Sequence, residues 1–126
     1  MIEPYPNRPK RTEPEPDPHC LESRAVPAVF LRFQSSREQI ALPYSSLLKL
    51  SLKMDETALE LSFVTHQVTV TGKNLGAIYK VVAEAEARLV CVAPLDFSGE
   101  ARLLSHQALV RGIRIDPLDP DERRKR

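Results

Sequence analysis

The sequence predicts a small α+β domain, in which an antiparallel meander of about five strands is followed by one amphipathic helix and a further strand. Between positions 28 and 71, apolar and polar residues alternate in short runs, which is the two-residue period of half-buried strands. Short polar connectors separate these runs, and short connectors favour antiparallel neighbours. From position 74 onwards an apolar residue recurs every three or four positions, which indicates a helix packed on one face of a sheet.

Each of the five predicted strands carries its apolar residues on one face and ends at a turn, a proline or a glycine. Pro43 stops the second strand because it cannot donate to a ladder, and Gly72 ends the fifth. The polar segments QSSRE (34–38) and MDET (54–57) connect neighbouring strands as hairpin turns. The inward-facing residues are, in chain order, Val29, Leu31 and Phe33; Ile40 and Leu42; Leu48, Leu50 and Leu52; Leu59, Leu61 and Phe63; and Val68 and Val70.

The predicted helix spans 74–87, and Asn74 is its predicted N-cap, accepting hydrogen bonds from the exposed amides of the first turn. Its apolar face consists of Leu75, Ile78, Val82 and Ala85. The apolar run RLVCVA at 88–93 predicts a strand that is buried on both faces and therefore does not lie at an exposed edge. Residues 100–115 fit either a second helix with a short last strand or a loop, and the sequence leaves both open.

Prolines and charges set the expected limits of the domain. Residues 1–27 contain seven of the eleven prolines, and proline removes a backbone donor and fixes φ. We therefore expect 1–27 to be a disordered Pro-rich arm, 28–115 a single domain, and 116–126 a charged tail. A peptide recognised by a proline-binding module is the alternative for the arm, because a P-x-x-P spacing occurs there.

In strand number and spacing, the five-strand meander is similar to the small bent barrels of Sm-like proteins. The Sm-like pattern begins with a helix, which the prolines before position 28 do not allow. A pleckstrin-homology-like domain has the later helix but more strands before it. Both are analogies at the level of the fold, so neither function nor any residue is carried over to this chain.

The overall charge and the apolar runs exclude several classes of protein. Eighteen basic and seventeen acidic side chains leave a formal charge of +1, so no global field draws the chain to nucleic acid or to an anionic membrane. No apolar run approaches the ~18 residues of a membrane-spanning helix, and no secretory signal is visible. Cys20 lies in the polar arm and Cys91 in an apolar strand, which is a poor disulfide framework, so we expect a reducing cytoplasm.

No convincing catalytic or metal-binding set is present in the sequence. An enzyme built around Ser45, His66 or Cys91 is the least favoured hypothesis, because Cys91 is expected to be an inert core thiol. His19 and Cys20 are adjacent, which is a poor arrangement for one tetrahedral ion, and no C-x-x-C or H-x-x-x-H spacing occurs. The sequence therefore predicts no catalytic residue, no metal ligand and no cofactor.

The segment TGKN at 71–74 is the one candidate for an anion-binding corner, since it ends a strand and opens a helix whose free amides would face an anion. Lys73 and Asn74 belong to this corner, and Lys49 and Lys53 are expected to extend it as a basic sheet face. The corner lacks the repeated glycines of known phosphate loops. A structural corner with a solvated Lys73 is therefore the competing interpretation.

The favoured function is a non-catalytic protein-interaction or self-association module. A domain of this size buries a modest share of its surface and leaves sheet edges that need a partner, so we expect a homodimer or another protein partner. Binding of nucleic acid or a phosphate ligand through Lys49, Lys53 and the Gly72–Asn74 corner is the less favoured alternative. No membrane contact is expected.

Overall fold

The computed structural model describes residues 18–104 and 106–118. This part of the chain is broadly α+β, with eight strands in two mostly antiparallel sheets and one α-helix. The strands are β1 (Leu21–Ser23), β2 (Phe30–Gln34), β3 (Gln39–Pro43), β4 (Leu47–Leu52), β5 (Ala58–Phe63), β6 (His66–Lys73), β7 (Ala87–Cys91) and β8 (Leu109–Pro117), and helix α1 (Gly76–Ala83) lies between β6 and β7 in sequence.

The strands divide into one sheet of order β1-β7-β2-β3 and a second of order β4-β5-β6-β8. The single five-strand meander that the sequence predicts is not confirmed, because β3 and β4 belong to different sheets. Pro43 ends β3, and the 3₁₀ turn Tyr44–Ser46 redirects the chain before β4 begins. All five predicted strands are therefore present. The second and the third, which are β3 and β4, do not pair with each other.

The second sheet is organised in rows of side chains that cross all four strands. One inward row joins Leu50, Leu61, Val68 and Ile115, and the next joins Leu52, Leu59, Val70 and Ile113. The members of these rows on β5 and β6 are fully buried. Cross-strand neighbours of this kind are the unit of sheet stabilisation, so the alternation read from the sequence becomes one apolar face.

The first sheet and α1 complete the core around that face. Phe33 of β2 meets Phe63 of β5 edge to face, with ring centroids 6.1 Å apart, and this contact joins the two sheets. Helix α1 contributes Ile78 and Val82, both buried. Burial raises the pKa of Tyr44 to about 12, so its hydroxyl stays protonated and donates to the Ala87 carbonyl at 2.7 Å.

A bulge in β4 overturns the prediction that Leu48, Leu50 and Leu52 share the inner face. Leu47 pairs with Phe63 and Lys49 pairs with Ser62, so Leu48 is the extra residue on its strand. The bulge shifts the alternation by one residue. Leu47 then lies on the inner side with Leu50 and Leu52, while Leu48 is 63% exposed.

Order begins earlier than position 28. Strand β1 falls inside the predicted arm and pairs antiparallel with β7, while β2 pairs parallel with β7 on its other side. The prediction that the 88–93 run does not form an edge is confirmed, although burial on both faces is not, because Cys91 is partly exposed. Residues 1–17 and 119–126, where the rest of the arm and tail predictions fall, lie outside the described residues.

In the described part of region 100–115, the chain forms a 3₁₀ turn and then enters a long strand. The turn is Glu100–Arg102, and β8 follows it and pairs antiparallel with β6. A second α-helix is not found in the described part of this region, since Gly112 lies within β8 instead of ending a helix.

The prediction that Gly72 ends its strand is wrong. The strand continues to Lys73, and the register with β8 shifts at Gly72, where the two backbones approach closely. A Cβ atom at this position would lie 1.9 Å from the Leu109 carbonyl oxygen. Glycine is therefore required here by the approach of a neighbouring strand.

The end of α1 contains a left-handed alanine. Ala85 has φ 60°, its amide donates to Val82 O at 2.9 Å, and the Glu86 amide donates to Val81 O at 2.8 Å. This pair of bonds is the Schellman ending of a helix, in which glycine is the usual left-handed residue. The helix is consequently shorter than the predicted 74–87, and Ala85 lies beyond it.

We expect Ala85→Gly to stabilise the protein by about 1 kcal/mol, because glycine adopts the left-handed conformation without the steric cost that an L side chain carries. Ala83→Gly, within the last helical turn, is the matched control and should destabilise by about 0.5–1 kcal/mol. Urea unfolding of both variants measures the difference in their free energies of unfolding. Equal effects of the two substitutions would contradict the left-handed conformation of Ala85.

We expect Gly72→Ala to destabilise the protein by about 1–3 kcal/mol or more, because the new methyl group must push β8 away from β6. Gly112→Ala is the control on the facing strand, where an added Cβ would lie 3.1 Å from the movable Thr71 hydroxyl. Thermal unfolding should show a clearly larger loss for Gly72→Ala. A smaller loss at Gly72 would be inconsistent with this close approach.

Candidate functional site

The predicted anion-binding corner is fastened to the hairpin turn between β4 and β5. Gly72 N donates to Thr57 O at 3.0 Å, and Leu75 N donates to Glu56 O at 3.1 Å. The Gly76 amide then donates to the Glu56 carboxylate at 3.2 Å. Three backbone amides at the junction between β6 and α1 therefore donate hydrogen bonds to two consecutive turn residues, Glu56 and Thr57.

Asn74 is not the N-cap of the helix. The N-cap position is Leu75, and no side chain caps it from that position. Asn74 has φ 59°, a left-handed conformation that asparagine tolerates better than most residues. Its side-chain amide donates to the carbonyls of Leu104 (3.1 Å) and Gln107 (3.2 Å), so it ties the corner to the segment before β8.

Glu56 supplies the negative charge that a helix N-terminus favours. Its carboxylate accepts from Gly76, the first residue of α1, and a carboxylate in that position is stabilised by the free amides and the helix dipole. Glu56 itself has φ 61°, so a residue other than glycine occupies a left-handed turn position. An incoming phosphate would have to compete with this carboxylate for the same amide.

An open cleft of about 560 Å³ surrounds Lys73 and Asn74, and three carboxylates and one ammonium group line it among the described residues. Hydrogen bonds from the Thr57 hydroxyl and amide lower the pKa of Asp55. The Arg111 guanidinium, 2.7 Å away, lowers the pKa of Glu100. Both groups therefore stay ionised at neutral pH, and the wall around Lys73 is predominantly acidic.

Lys49 and Lys53 do not produce a basic sheet face. The outer row of Lys49 contains Ser62, Gln67 and Asp116, and the next outer row contains Ser51, Glu60, Thr69 and Arg114. Each row thus contains one cation and one carboxylate, and Arg114 forms an ion pair with Asp116 of the neighbouring row at 3.1 Å. Lys53 lies at the end of the sheet nearest Lys73, but its charge faces Asp55 and contributes to the lowered pKa of that carboxyl.

Two of the three residues of the enzyme hypothesis, His66 and Cys91, contact separate parts of the fold. His66 Nδ1 lies 2.7 Å from the Thr65 hydroxyl, and the Cys91 thiol donates to His19 O at 3.2 Å. Burial, with a smaller contribution from the Glu22 charge, raises the pKa of Cys91. Across residues 18–104 and 106–118, no three His, Cys, Asp or Glu side chains gather to hold a metal ion.

The structure contains an exposed apolar patch that the sequence pattern does not predict. The patch consists of Val29 (74% exposed), Phe30 (50%), Leu48 (63%) and Val64 (44%). Two backbone hydrogen bonds bring its segments together, from Tyr44 N to Val29 O (2.9 Å) and from Val64 N to Ser46 O (2.8 Å). The doubled leucine at 47–48 is the signal in the sequence that indicates a break in alternation there.

We expect Glu56→Ala to destabilise the protein by about 0.5–2 kcal/mol, because the first amide of α1 loses its acceptor while the strained turn conformation remains. Glu38→Ala, at an exposed position in the β2–β3 turn, is the charge-matched control and should be nearly neutral. Urea unfolding compares the two. Equal stabilities would show that the Glu56 side chain does not hold the corner.

No known protein family, curated protein or solved structure matches this chain. No helix in the described part of the chain is long and apolar enough to cross a membrane.

Proposed function

We propose that this chain is a non-catalytic, cytoplasmic self-association module, and that its partner is a second copy of the same chain. The observation that carries the proposal is the exposed apolar patch of Val29, Phe30, Leu48 and Val64. Scattered apolar side chains are ordinary on protein surfaces, whereas several on neighbouring segments favour an interaction site, and backbone hydrogen bonds join the segments of these four.

The position of the patch supports pairing between copies. It lies where β3 and β4 meet, and each of these strands is the edge of its sheet. An edge strand offers unpaired backbone groups, which a second copy is able to cover. In a two-fold contact the same surface serves both partners, so apolar patch faces apolar patch.

The charge distribution also supports self-association. The chain carries a formal charge of +1, so two copies repel each other little. Full burial of one large apolar side chain contributes about 1.5–3 kcal/mol, and four partly exposed residues on each copy offer several times the burial of one. A different protein with a complementary apolar surface is the alternative partner.

Binding of nucleic acid or phosphate through Lys49, Lys53 and the Lys73–Asn74 corner is not favoured by any geometric observation. The cleft at Lys73 is lined mainly by carboxylates, and Glu56 already occupies the helix amide. Salt-dependent binding of a polyanion, lost on Lys73→Glu, would be the result that revives this alternative.

We expect sedimentation equilibrium of the full chain to show a reversible dimer in the micromolar range. Val29→Ser combined with Leu48→Ser should weaken dimerisation at least about tenfold, which corresponds to roughly 1.4 kcal/mol, because the variant removes apolar area from both sides of the interface. Both side chains are largely exposed, so the fold should persist.

Met54→Ser and Leu95→Ser are matched controls, since both side chains are fully exposed and lie outside the patch. Neither should change the dissociation constant. A monomer at high micromolar concentration, or equal weakening by patch and control variants, would reject self-association through this patch.

A further inference from the structure

A backbone hydrogen bond joins two cysteines that are distant in sequence, Cys91 at the end of β7 and Cys20 just before β1. The register of β1 and β7 pairs Leu21 with Val90, and the Cys91 amide donates to the Cys20 carbonyl at 2.9 Å, one step beyond that pair. Hydrogen-bonded residue pairs across antiparallel strands have Cα atoms about 5.5 Å apart. Disulfides span Cα separations of about 4.4–6.8 Å, so the backbone already meets this requirement.

Both sulfur atoms contact carbonyl groups of the segment Pro18–His19. The Cys91 thiol donates to the carbonyl of His19, and the Cys20 thiol lies 3.8 Å from the carbonyl of Pro18, so both approach the same short segment. His19 has φ 54°, and this turn brings its carbonyl to the Cys91 sulfur. The structure contains no disulfide at either cysteine.

The role of Cys20 in the native fold is compatible with oxidation. Its sulfur accepts a hydrogen bond from the amide of Val110, a residue of β8, at 3.3 Å. A disulfide sulfur keeps its lone pairs, so the Val110 amide does not lose its acceptor. Oxidation removes the two S–H donors, which are weak.

We propose that Cys20 and Cys91 are a reversible redox pair, whose disulfide ties β1 to the centre of the first sheet. The bond would close a loop that contains most of the domain, and cross-links of long loops restrict the unfolded chain most strongly. Strand β1 has three residues and one neighbouring strand, so it is the element that such a bond would secure. The inference is independent of self-association.

The chemistry is thiol–disulfide exchange with a low-molecular-weight disulfide as the oxidant. Cys91 is partly exposed and Cys20 is 2% exposed, so the Cys91 thiolate is the one that attacks a sulfur of glutathione disulfide. The S–S bond of glutathione disulfide breaks, a mixed disulfide forms between Cys91 and glutathione, and one glutathione thiolate leaves. The Cys20 thiolate then attacks the Cys91 sulfur and displaces the second. The two cysteines lose two protons and two electrons, and one glutathione disulfide becomes two glutathione thiols.

The test is equilibration of the full chain in glutathione redox buffers, followed by alkylation of the remaining thiols and peptide mass spectrometry. We expect the Cys20 and Cys91 peptides to be linked within one chain, with the loss of two hydrogens. The melting temperature should rise by about 5–15 °C on oxidation and return on addition of dithiothreitol.

Cys91→Ser should abolish both the linked peptide and the temperature shift, and its partly exposed position makes it tolerable for folding. Cys20→Ser, if it folds, should leave a glutathione adduct on Cys91. The proposal is overturned if the oxidised wild-type chain carries only that adduct with an intact Cys20 thiol, or if the disulfides link separate chains.

Discussion

The attachment of one hairpin turn to one strand–helix corner is the constraint on which the rest of the fold depends. Glu56 holds the start of α1 through its carboxylate and its backbone oxygen, and Thr57 holds Gly72. The corner fixes the direction of the helix, which then covers the core with Ile78 and Val82. Glu56 is tolerated in its left-handed conformation because its carboxylate accepts a hydrogen bond from the Gly76 amide, which would otherwise need a water molecule.

Alternation in the sequence predicted most strands, because each half-buried strand shows its period independently of its neighbours. Pairing between strands was less predictable, since it depends on connectors such as the Tyr44–Ser46 turn, whose direction has no periodic signal. The bulge at Leu48 is a similar case, in which one extra residue reverses the face of a side chain. Strand β1 was missed because prolines surround it and three residues carry no period.

The candidate site was also predictable only in part, because its local elements have a signal in the sequence and its long-range contacts have none. The sequence located a strand-to-helix corner near Lys73 correctly, but the anion expected there was a bound ligand, whereas the group that accepts from the helix amide is the Glu56 carboxylate. The identity of that group was not predictable, because Glu56 is distant in sequence and reaches the corner through the fold. Cys20, which the sequence places in a polar arm, is buried, and Cys91, which was expected in the core, is partly exposed. The burial of a side chain depends on neighbours from other strands, and β8 covers Cys20.

The first and last described strands, β1 and β8, differ in length, so we expect local unfolding to begin at β1. Strand β1 has three residues, whereas β8 has nine and pairs with β6 along most of its length. Short edge segments open at little free energy, while long ladders open only with the whole domain. Amide hydrogens of the first sheet should therefore exchange from the β1 side, and those of β6 should report the global stability. A fusion partner at the amino terminus would pull on the weakest ladder, and one at the carboxyl terminus would pull on a strong one.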